Sequence, residues 1–156
     1  MIVRPLADSD AAELRRIHSL PEVARWWGAP PDGFPLRDDP ETTRQVIEVD
    51  ATIAGLIDFW EESTPKYRHA TIDLFLDPAF HGRGLGTEAV KRVVRQLIEE
   101  RGHHRITIDP ASANAVAIRA YEKAGFEAVG VMRHYERDAD GDGWHDGLLM
   151  ELIADA

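Results

Sequence analysis

Three glycines at alternate positions form the segment of this chain best suited to ligand chemistry. They lie in His81-Gly82-Arg83-Gly84-Leu85-Gly86-Thr87, which follows a predicted strand ending at Asp77-Pro78 and opens a predicted helix. Small residues let backbone N–H groups approach a bound group closely, and a helix N-terminus carries partial positive charge. The segment therefore predicts a pyrophosphate site. The alternative interpretation is a flexible loop that only begins a helix.

The spacing of these glycines disfavours two common pyrophosphate sites. A nucleoside-triphosphatase loop ends in Gly-Lys-Ser/Thr, whereas Leu85 precedes Gly86-Thr87 here. A dinucleotide fingerprint has the spacing G-x-G-x-x-G and an acidic residue after the next strand, and this chain has G-x-G-x-G without that residue. The chain also has no cysteine, which excludes an acyl-cysteine intermediate and a thiolate metal site.

A second motif, Asn114-x-x-Ala117-x-x-x-Tyr121-x-x-x-Gly125-Phe126, follows the glycine loop in the chain. The two motifs together resemble those of the GNAT acetyltransferases, whose loop signature is Gln/Arg-x-x-Gly-x-Gly/Ala. His81 stands where that family usually has Gln or Arg. The resemblance implies one α+β domain over residues 1–156, with a mixed central sheet of about six or seven strands and about four flanking helices. It also implies acetyl-CoA as the cofactor.

The resemblance assigns roles to individual residues. It implies that Tyr121 donates a proton to the departing thiolate of coenzyme A. It further implies that the strand over 69–76 separates from the next strand near Asp73, so that its free backbone groups bind the pantetheine arm and polarise the thioester carbonyl. The cofactor-binding residues implied in this way are Leu74, Phe75, Leu76, His81, Gly82, Arg83, Gly84, Leu85, Gly86, Thr87, Asn114, Ala117 and Tyr121. Helix packing for Tyr121 and an N-cap for Asn114 are the alternatives.

Within that family, residues 108–126 resemble the aminoglycoside 6′-N-acetyltransferases, and Trp26-Trp27-Gly28 resembles their N-terminal aromatic segment. This resemblance implies that Asp73 and Asp109 bind or deprotonate the acceptor amine. A carboxylate is needed there because an amine is mostly protonated at neutral pH. Glu136 is predicted to join an anionic rim around the acceptor. The alternatives are a turn role for Asp109, a solvated Asp73, and core packing for Trp26 and Trp27.

Charge and composition narrow the partners. The chain has 28 acidic and 18 basic residues and a net charge of −10, which favours a small cationic amine and disfavours nucleic acid. No window approaches the roughly 18 apolar residues of a membrane span, so we expect no membrane insertion and a cytoplasmic location. A homodimer is left open. The alternative functions are acetylation of protein N-termini, lysines or polyamines, and a non-catalytic acyl-CoA-binding sensor.

Periodicity places these motifs on elements in an order near βααββββαβαββ. Helices are predicted around 12–20 and over 21–27, 84–100 and 114–124, and an irregular Pro-rich loop over 28–40. Strands are predicted over 2–6, 44–49, 52–60, 69–76, 105–109, 126–137 and 146–153, with the strand–helix–strand unit around the glycine loop parallel.

The run Asp138-x-Asp140-x-Asp142-Gly143 resembles half of a calcium loop, but Leu149 replaces the chelating Glu. We predict a hairpin turn and no metal.

Overall fold

Alternating apolar residues build a seven-stranded sheet in the computed structural model, which describes residues 1–155. The strands lie in the order β1-β2-β3-β4-β5-β7-β6, and every neighbouring pair except β4 and β5 is antiparallel. Their bounds are β1 Ile2–Pro5, β2 Thr42–Val49, β3 Thr52–Glu62, β4 His69–Leu76, β5 Arg105–Ile108, β6 Glu127–Arg137 and β7 Trp144–Ile153.

Four helices cover the two faces of the sheet. They are α1 Ala11–His18, α2 Pro21–Trp27, α3 Leu85–Glu99 and α4 Ala115–Lys123. The larger core lies under α3 and α4, where the apolar stripe of α3 from Ala89 to Leu97 packs on Ile57, Ile72 and Ile106. A smaller core lies under α1 and α2, where Leu14 and Ile17 pack on Leu56 and Phe75. Successive side chains of β3 and β4 therefore point to different cores, as a pleated strand requires.

The sheet opens between β4 and β5. The two strands pair only at Ala70 with Ile106 and at Thr71 with Thr107. β4 continues to Leu76, whereas β5 ends at Ile108. Beyond Thr71, the residues of β4 pair with β3 and no longer with β5. The resulting gap between the C-terminal halves of β4 and β5 is the feature of the fold that can admit a ligand.

The predicted α+β fold is confirmed, with seven strands, four helices and a parallel β4–β5 pair. The written order has four strands between α2 and α3, whereas the predicted strand ranges 44–49, 52–60 and 69–76 number three, and three strands are observed. The segment 63–68, between β3 and β4, holds only a short 3-10 turn, Pro65–Tyr67, which begins at a proline that cannot donate to a sheet. No helix among residues 1–155 is long and apolar enough to cross a membrane.

Candidate active site

The glycine loop begins α3 with its first-turn amides free of side-chain caps. Gly84 is the N-cap residue, with a left-handed φ of 73°, and no side chain accepts a capping hydrogen bond at this helix N-terminus. The first intrahelical bond runs from Glu88 N–H to Gly84 O at 3.1 Å, so the amides of Leu85, Gly86 and Thr87 precede it. A Cβ placed on Gly82 or Gly84 would meet no atom within 4 Å. The loop therefore offers open space and uncapped donors, which is the geometry that a pyrophosphate needs.

Other loop residues make contacts within the protein. His81 Nε2 donates to Leu76 O at 3.0 Å and ties the loop to the end of β4. The Arg83 guanidinium lies 5.3 Å from the centre of the Phe80 ring. Thr87 Oγ1 donates to Ala120 O at 3.0 Å and joins α3 to α4. Gly86 lies against Leu74 and Leu76, because a Cβ there would come within 4.0 Å of both side chains.

The backbone of β4 presents polar groups to the gap. Asp77 N–H donates to Ala54 O at 2.7 Å, so every second residue of β4 counted back from Asp77 forms its backbone hydrogen bonds with β3. The backbone groups of the residues between them, Leu74 and Leu76, point away from β3, toward the side where β5 has ended. Leu74 N–H is engaged by the carboxylate of Asp73 at 2.9 Å. The predicted separation of β4 near Asp73 thus agrees with the pairing.

Helix α4 presents Tyr121 to the same region. The Tyr121 side chain is 7% exposed and belongs to the larger core. Burial, together with the charges of Asp73 and Asp109, raises the pKa of Tyr121 well above its usual value. The Tyr121 phenol therefore keeps its proton at every physiological pH, as a proton donor must. Asn114 caps the same helix, since its Oδ1 accepts from Ala117 N–H at 3.2 Å.

Three carboxylates, those of Asp58, Asp109 and Glu136, lie near Asp73, and Asp73 and Asp109 also lie near Tyr121. Asp58 on β3 lies directly opposite Asp73 on β4, on the face of the sheet that α1 and α2 cover. Asp109 follows β5 at the gap. Glu136 on β6 lies at the rim, where its side chain is 52% exposed and its Oε1 is 3.4 Å from His145 Nε2. The site is therefore strongly anionic before any ligand binds.

Mutual repulsion and enclosure shift the protonation of this carboxylate group. Burial raises the pKa of Asp58 to about 6, against a lowering by Arg44. Asp73 is exposed to solvent. Partial desolvation by the surrounding protein and the charges of Asp58 and Asp109 raise its pKa above the usual range. Burial also raises the pKa of Asp109 and of Glu136. A cation bound here would relieve the repulsion.

A groove of about 420 Å³ extends from Asp109 over the paired part of β4 and β5, where Thr71 and Thr107 line it. Tyr135 on β6 closes one side, and its Oη donates to Asp109 Oδ2 at 2.5 Å. Trp60 closes the far end and donates from Nε1 to Glu41 at 3.0 Å. The groove is lined by Trp60, His69, Thr71, Arg105, Thr107, Asp109, Tyr135 and Leu149.

The two predicted tryptophans lie outside this lining in the described part of the chain. Trp27 packs edge-on against Phe75 with ring centres 5.1 Å apart, in the smaller core. Trp26 lies beneath the Arg25 guanidinium at 4.4 Å. Trp27 therefore packs against β4 from the side of the smaller core. A contact between either tryptophan and the acceptor stays a prediction.

Asp58 and Tyr135 were missed by the sequence reasoning. A signal for Asp58 existed, since it is a carboxylate inside the otherwise apolar run of β3 from Ile53 to Phe59. Tyr135 gave no comparable signal, because its position depends on an irregular pairing of β6 and β7.

Within residues 1–155 no three histidine or acidic side chains are arranged to hold a metal ion. In the predicted hairpin turn, Asp138 Oδ1 is bonded to His145 Nδ1 at 2.9 Å.

Comparisons with known proteins agree with this fold. Residues 1–127 match the acetyltransferase (GNAT) domain family. An aminoglycoside N(6′)-acetyltransferase type 1 of Klebsiella pneumoniae is 38% identical over 74 residues, which cover 47% of this chain and 37% of that relative. The spermidine N(1)-acetyltransferase of Escherichia coli K12 is 27% identical over 141 residues, covering 85% of this chain and 75% of the relative.

A solved structure of an aminoglycoside acetyltransferase in complex with coenzyme A and kanamycin has the same fold. It superposes with a TM-score of 0.76 and 24% identity, over 97% of this chain and 93% of the other. The alignment with the first aminoglycoside relative spans little more than a third of that relative's length. The match over residues 1–127 shows that this chain belongs to the GNAT acetyltransferase family. The resemblance drawn from the two motifs is thereby confirmed.

Proposed function

We propose that this chain is an acetyl-CoA-dependent N-acetyltransferase of polycationic amines, with the 6′-amino group of aminoglycosides as its acceptor. One observation carries the proposal. Asp58, Asp109 and Glu136 lie near Asp73, and Asp73 and Asp109 lie near the protonated phenol of Tyr121 at the gap between β4 and β5. A net charge of −10 adds a long-range attraction for a polycation.

The residues of this chain fit the donor. Uncapped amides of Leu85, Gly86 and Thr87 would hold the pyrophosphate, and the open positions beside Gly82 and Gly84 would admit it. The outward-facing backbone groups at the end of β4 would bind the pantetheine arm. When bound, acetyl-CoA supplies an activated acetyl thioester. The roles of His81, Arg83, Asn114 and Ala117 toward the donor stay predictions.

The carboxylates would bind the acceptor as an ammonium and then take up its proton. Asp58, with a pKa of about 6, lies closer to neutral pH than an ordinary aspartate, which suits a proton acceptor. Asp73 lies between Asp58 and Asp109, so its charge responds to both. Tyr121, whose pKa is raised, would give its proton to the leaving thiolate.

Polyamine acetylation is the second candidate. It is favoured by the similarity to a spermidine N(1)-acetyltransferase, which extends over 85% of this chain rather than 47%. The groove of about 420 Å³ and its anionic end would also suit an extended chain of ammonium groups. The two candidates differ in the acceptor and share the donor site.

Release of free coenzyme A thiol from acetyl-CoA tests the proposal. The protein has no cysteine and adds no thiol of its own. Kanamycin and tobramycin are compared with spermidine, with an N-terminal peptide, and with a matched aminoglycoside that has a 6′-hydroxyl in place of the amine. Asp109→Asn is compared with Asp8→Asn, an exposed carboxylate outside the groove.

Turnover of the 6′-amines alone, lost in Asp109→Asn and kept in Asp8→Asn, supports the aminoglycoside assignment. Turnover of spermidine alone supports the second candidate. Turnover of the 6′-hydroxyl compound refutes the 6′ position. Calorimetric binding of acetyl-CoA without turnover of any amine identifies an acyl-CoA sensor and refutes the enzymatic proposal.

A further inference from the structure

Tyr135 reaches Asp109 through an irregularity built into the last hairpin. Met132 pairs with Gly147, and the next pair along the strands is Glu136 with His145. Three residues of β6, 133–135, therefore oppose the single residue Asp146 of β7. Such a bulge bends a strand and re-aims its side chains. Here it turns the Tyr135 phenol toward Asp109, 26 positions earlier in the chain.

Two further contacts stabilise this bulge. His134 has a left-handed φ of 50°, which is costly for a residue with a side chain. Its N–H donates to the Asp146 carboxylate at 2.9 Å, which offsets part of that cost. The Tyr135 ring lies over Gly147, since a Cβ on Gly147 would come 2.8 Å from Tyr135 Cδ2. A side chain at 147 would thus displace the ring.

The segment that carries Asp109 is bonded to the same part of β7. Leu148 N–H donates to Pro110 O at 2.8 Å, and Ser112 N–H donates to Asp146 O at 2.9 Å. Ala111 forms a bridge with Gly147. The bulge and the Asp109 segment are therefore held on one short stretch of β7, residues 146–148, which fixes the phenol relative to the carboxylate.

We infer that Tyr135 is a positioning residue for acceptor binding, which holds Asp109 Oδ2 and leaves Oδ1 to receive the acceptor ammonium. This inference rests on the proposed function. The phenol is suited to the task because the hydrogen bond to Asp109 raises its pKa, so it remains a donor at neutral pH. A carboxylate held in one orientation binds an ammonium at a lower entropic cost than a freely rotating one.

Several charged and titratable groups lie near Asp109. They are Asp73 on β4, Tyr121 on α4 and Glu136 on β6, while Arg105 and His69 line the same groove. The hydrogen bond from Tyr135 lowers the pKa of Asp109, against the rise that burial causes. Removing the phenol hydroxyl should therefore raise the pKa of Asp109 without changing the shape of the groove.

Tyr135→Phe tests the inference, with Tyr67→Phe as a matched control that loses an exposed phenol elsewhere. Carbon-13 titration of the aspartate carboxyls, assigned with Asp109→Asn, should show a higher pKa for Asp109 in Tyr135→Phe than in the wild type. The acceptor KM should rise about tenfold, as expected for loss of a hydrogen bond to a charged group. The acid limb of kcat/KM should move to higher pH, while acetyl-CoA affinity stays unchanged.

Gly147→Ala should displace the ring and reproduce these effects with the hydroxyl still present. An unchanged Asp109 pKa in Tyr135→Phe would overturn the inference, whether or not the wild type turns over an amine. A lower kcat with an unmoved acid limb and KM would also overturn it, since that is the result of a purely structural role. Failure of the wild type to acetylate any amine would instead refute the proposed function.

Discussion

Asp58→Asn offers a quantitative test of the acidic site, because the structure predicts that this carboxylate destabilises the fold. Asp58 is half-buried and lies directly opposite Asp73 on the next strand. Like charges at directly opposed positions of an antiparallel pair repel. Asparagine has nearly the same shape without the charge, so the substitution should stabilise the protein at neutral pH while weakening acceptor binding.

The magnitude follows from the pKa of Asp58, which rises from 3.8 to about 6. One pKa unit corresponds to about 1.4 kcal/mol, so ionising Asp58 in the folded protein costs about 3 kcal/mol at pH 7. An asparagine amide without good partners at the same place costs about 1–3 kcal/mol. The net gain at pH 7 is therefore about 1 kcal/mol, and the larger effect lies in the pH dependence.

The raised pKa of Asp58 determines the direction in which stability changes with pH. Between pH 4 and 6 the folded protein keeps a proton on Asp58 that the unfolded chain has lost, so wild-type stability falls as pH rises through this window. Asp58→Asn lacks this term. The free energy of unfolding of the variant minus that of the wild type should therefore increase by about 2 kcal/mol from pH 4 to pH 6 and level off above pH 7.

Urea unfolding at half-unit pH intervals from 4 to 7.5 measures this difference, with Asp8→Asn as the exposed control. The control should stay within about 0.5 kcal/mol of the wild type at each pH. A difference between Asp58→Asn and the wild type that is flat across the window would refute the reasoning, because Asp58 would then have an ordinary pKa. Greater stability combined with unchanged acceptor KM would refute its role in acceptor binding.

Three other outcomes are expected. Tyr121→Phe should lower kcat about 100-fold with acetyl-CoA affinity unchanged, measured by coenzyme A release and calorimetry, and an unchanged kcat would exclude the proton-donor role. Gly84→Val should abolish acetyl-CoA binding, since φ is 73° and the side chain would enter the open loop, and normal calorimetric binding would contradict the loop assignment. Burial lowers the pKa of His18, which is 1% exposed, so the contribution of His18 to the free energy of unfolding should fall as pH drops below about 6.5. Replacing it in His18→Leu should flatten that fall in thermal unfolding, and an identical slope would show that His18 titrates normally.

The sequence predicted the elements around the glycine loop closely. The strand over 69–76 is β4 without change, and the helix predicted over 84–100 is observed as Leu85–Glu99. Both signals are local, because β4 alternates apolar and polar residues and α3 repeats apolar residues every three or four positions. The strands predicted over 44–49 and 52–60 are likewise observed, as Thr42–Val49 and Thr52–Glu62.

The acceptor side was predicted only in part. Asp73 and Asp109 came from a resemblance, and the structure brings them together with Tyr121. Asp58 joins them because the register of β3 and β4 places it opposite Asp73. A strand's own sequence does not state its register, which depends on the hydrophobic faces of both strands and on the turn between them.

The sequence by itself determined the elements of the proposed donor site. The glycine loop, the start of α3 and the capped helix α4 each depend on residues within a few positions of one another. Only the tertiary structure decided the acceptor side. Tyr135 meets Asp109 because a bulge in β6, a glycine in β7 and the backbone after β5 come together in space. Local backbone preferences act between neighbours in the chain, whereas the charge and hydrogen bonding of a groove arise from strands whose pairing the whole core selects.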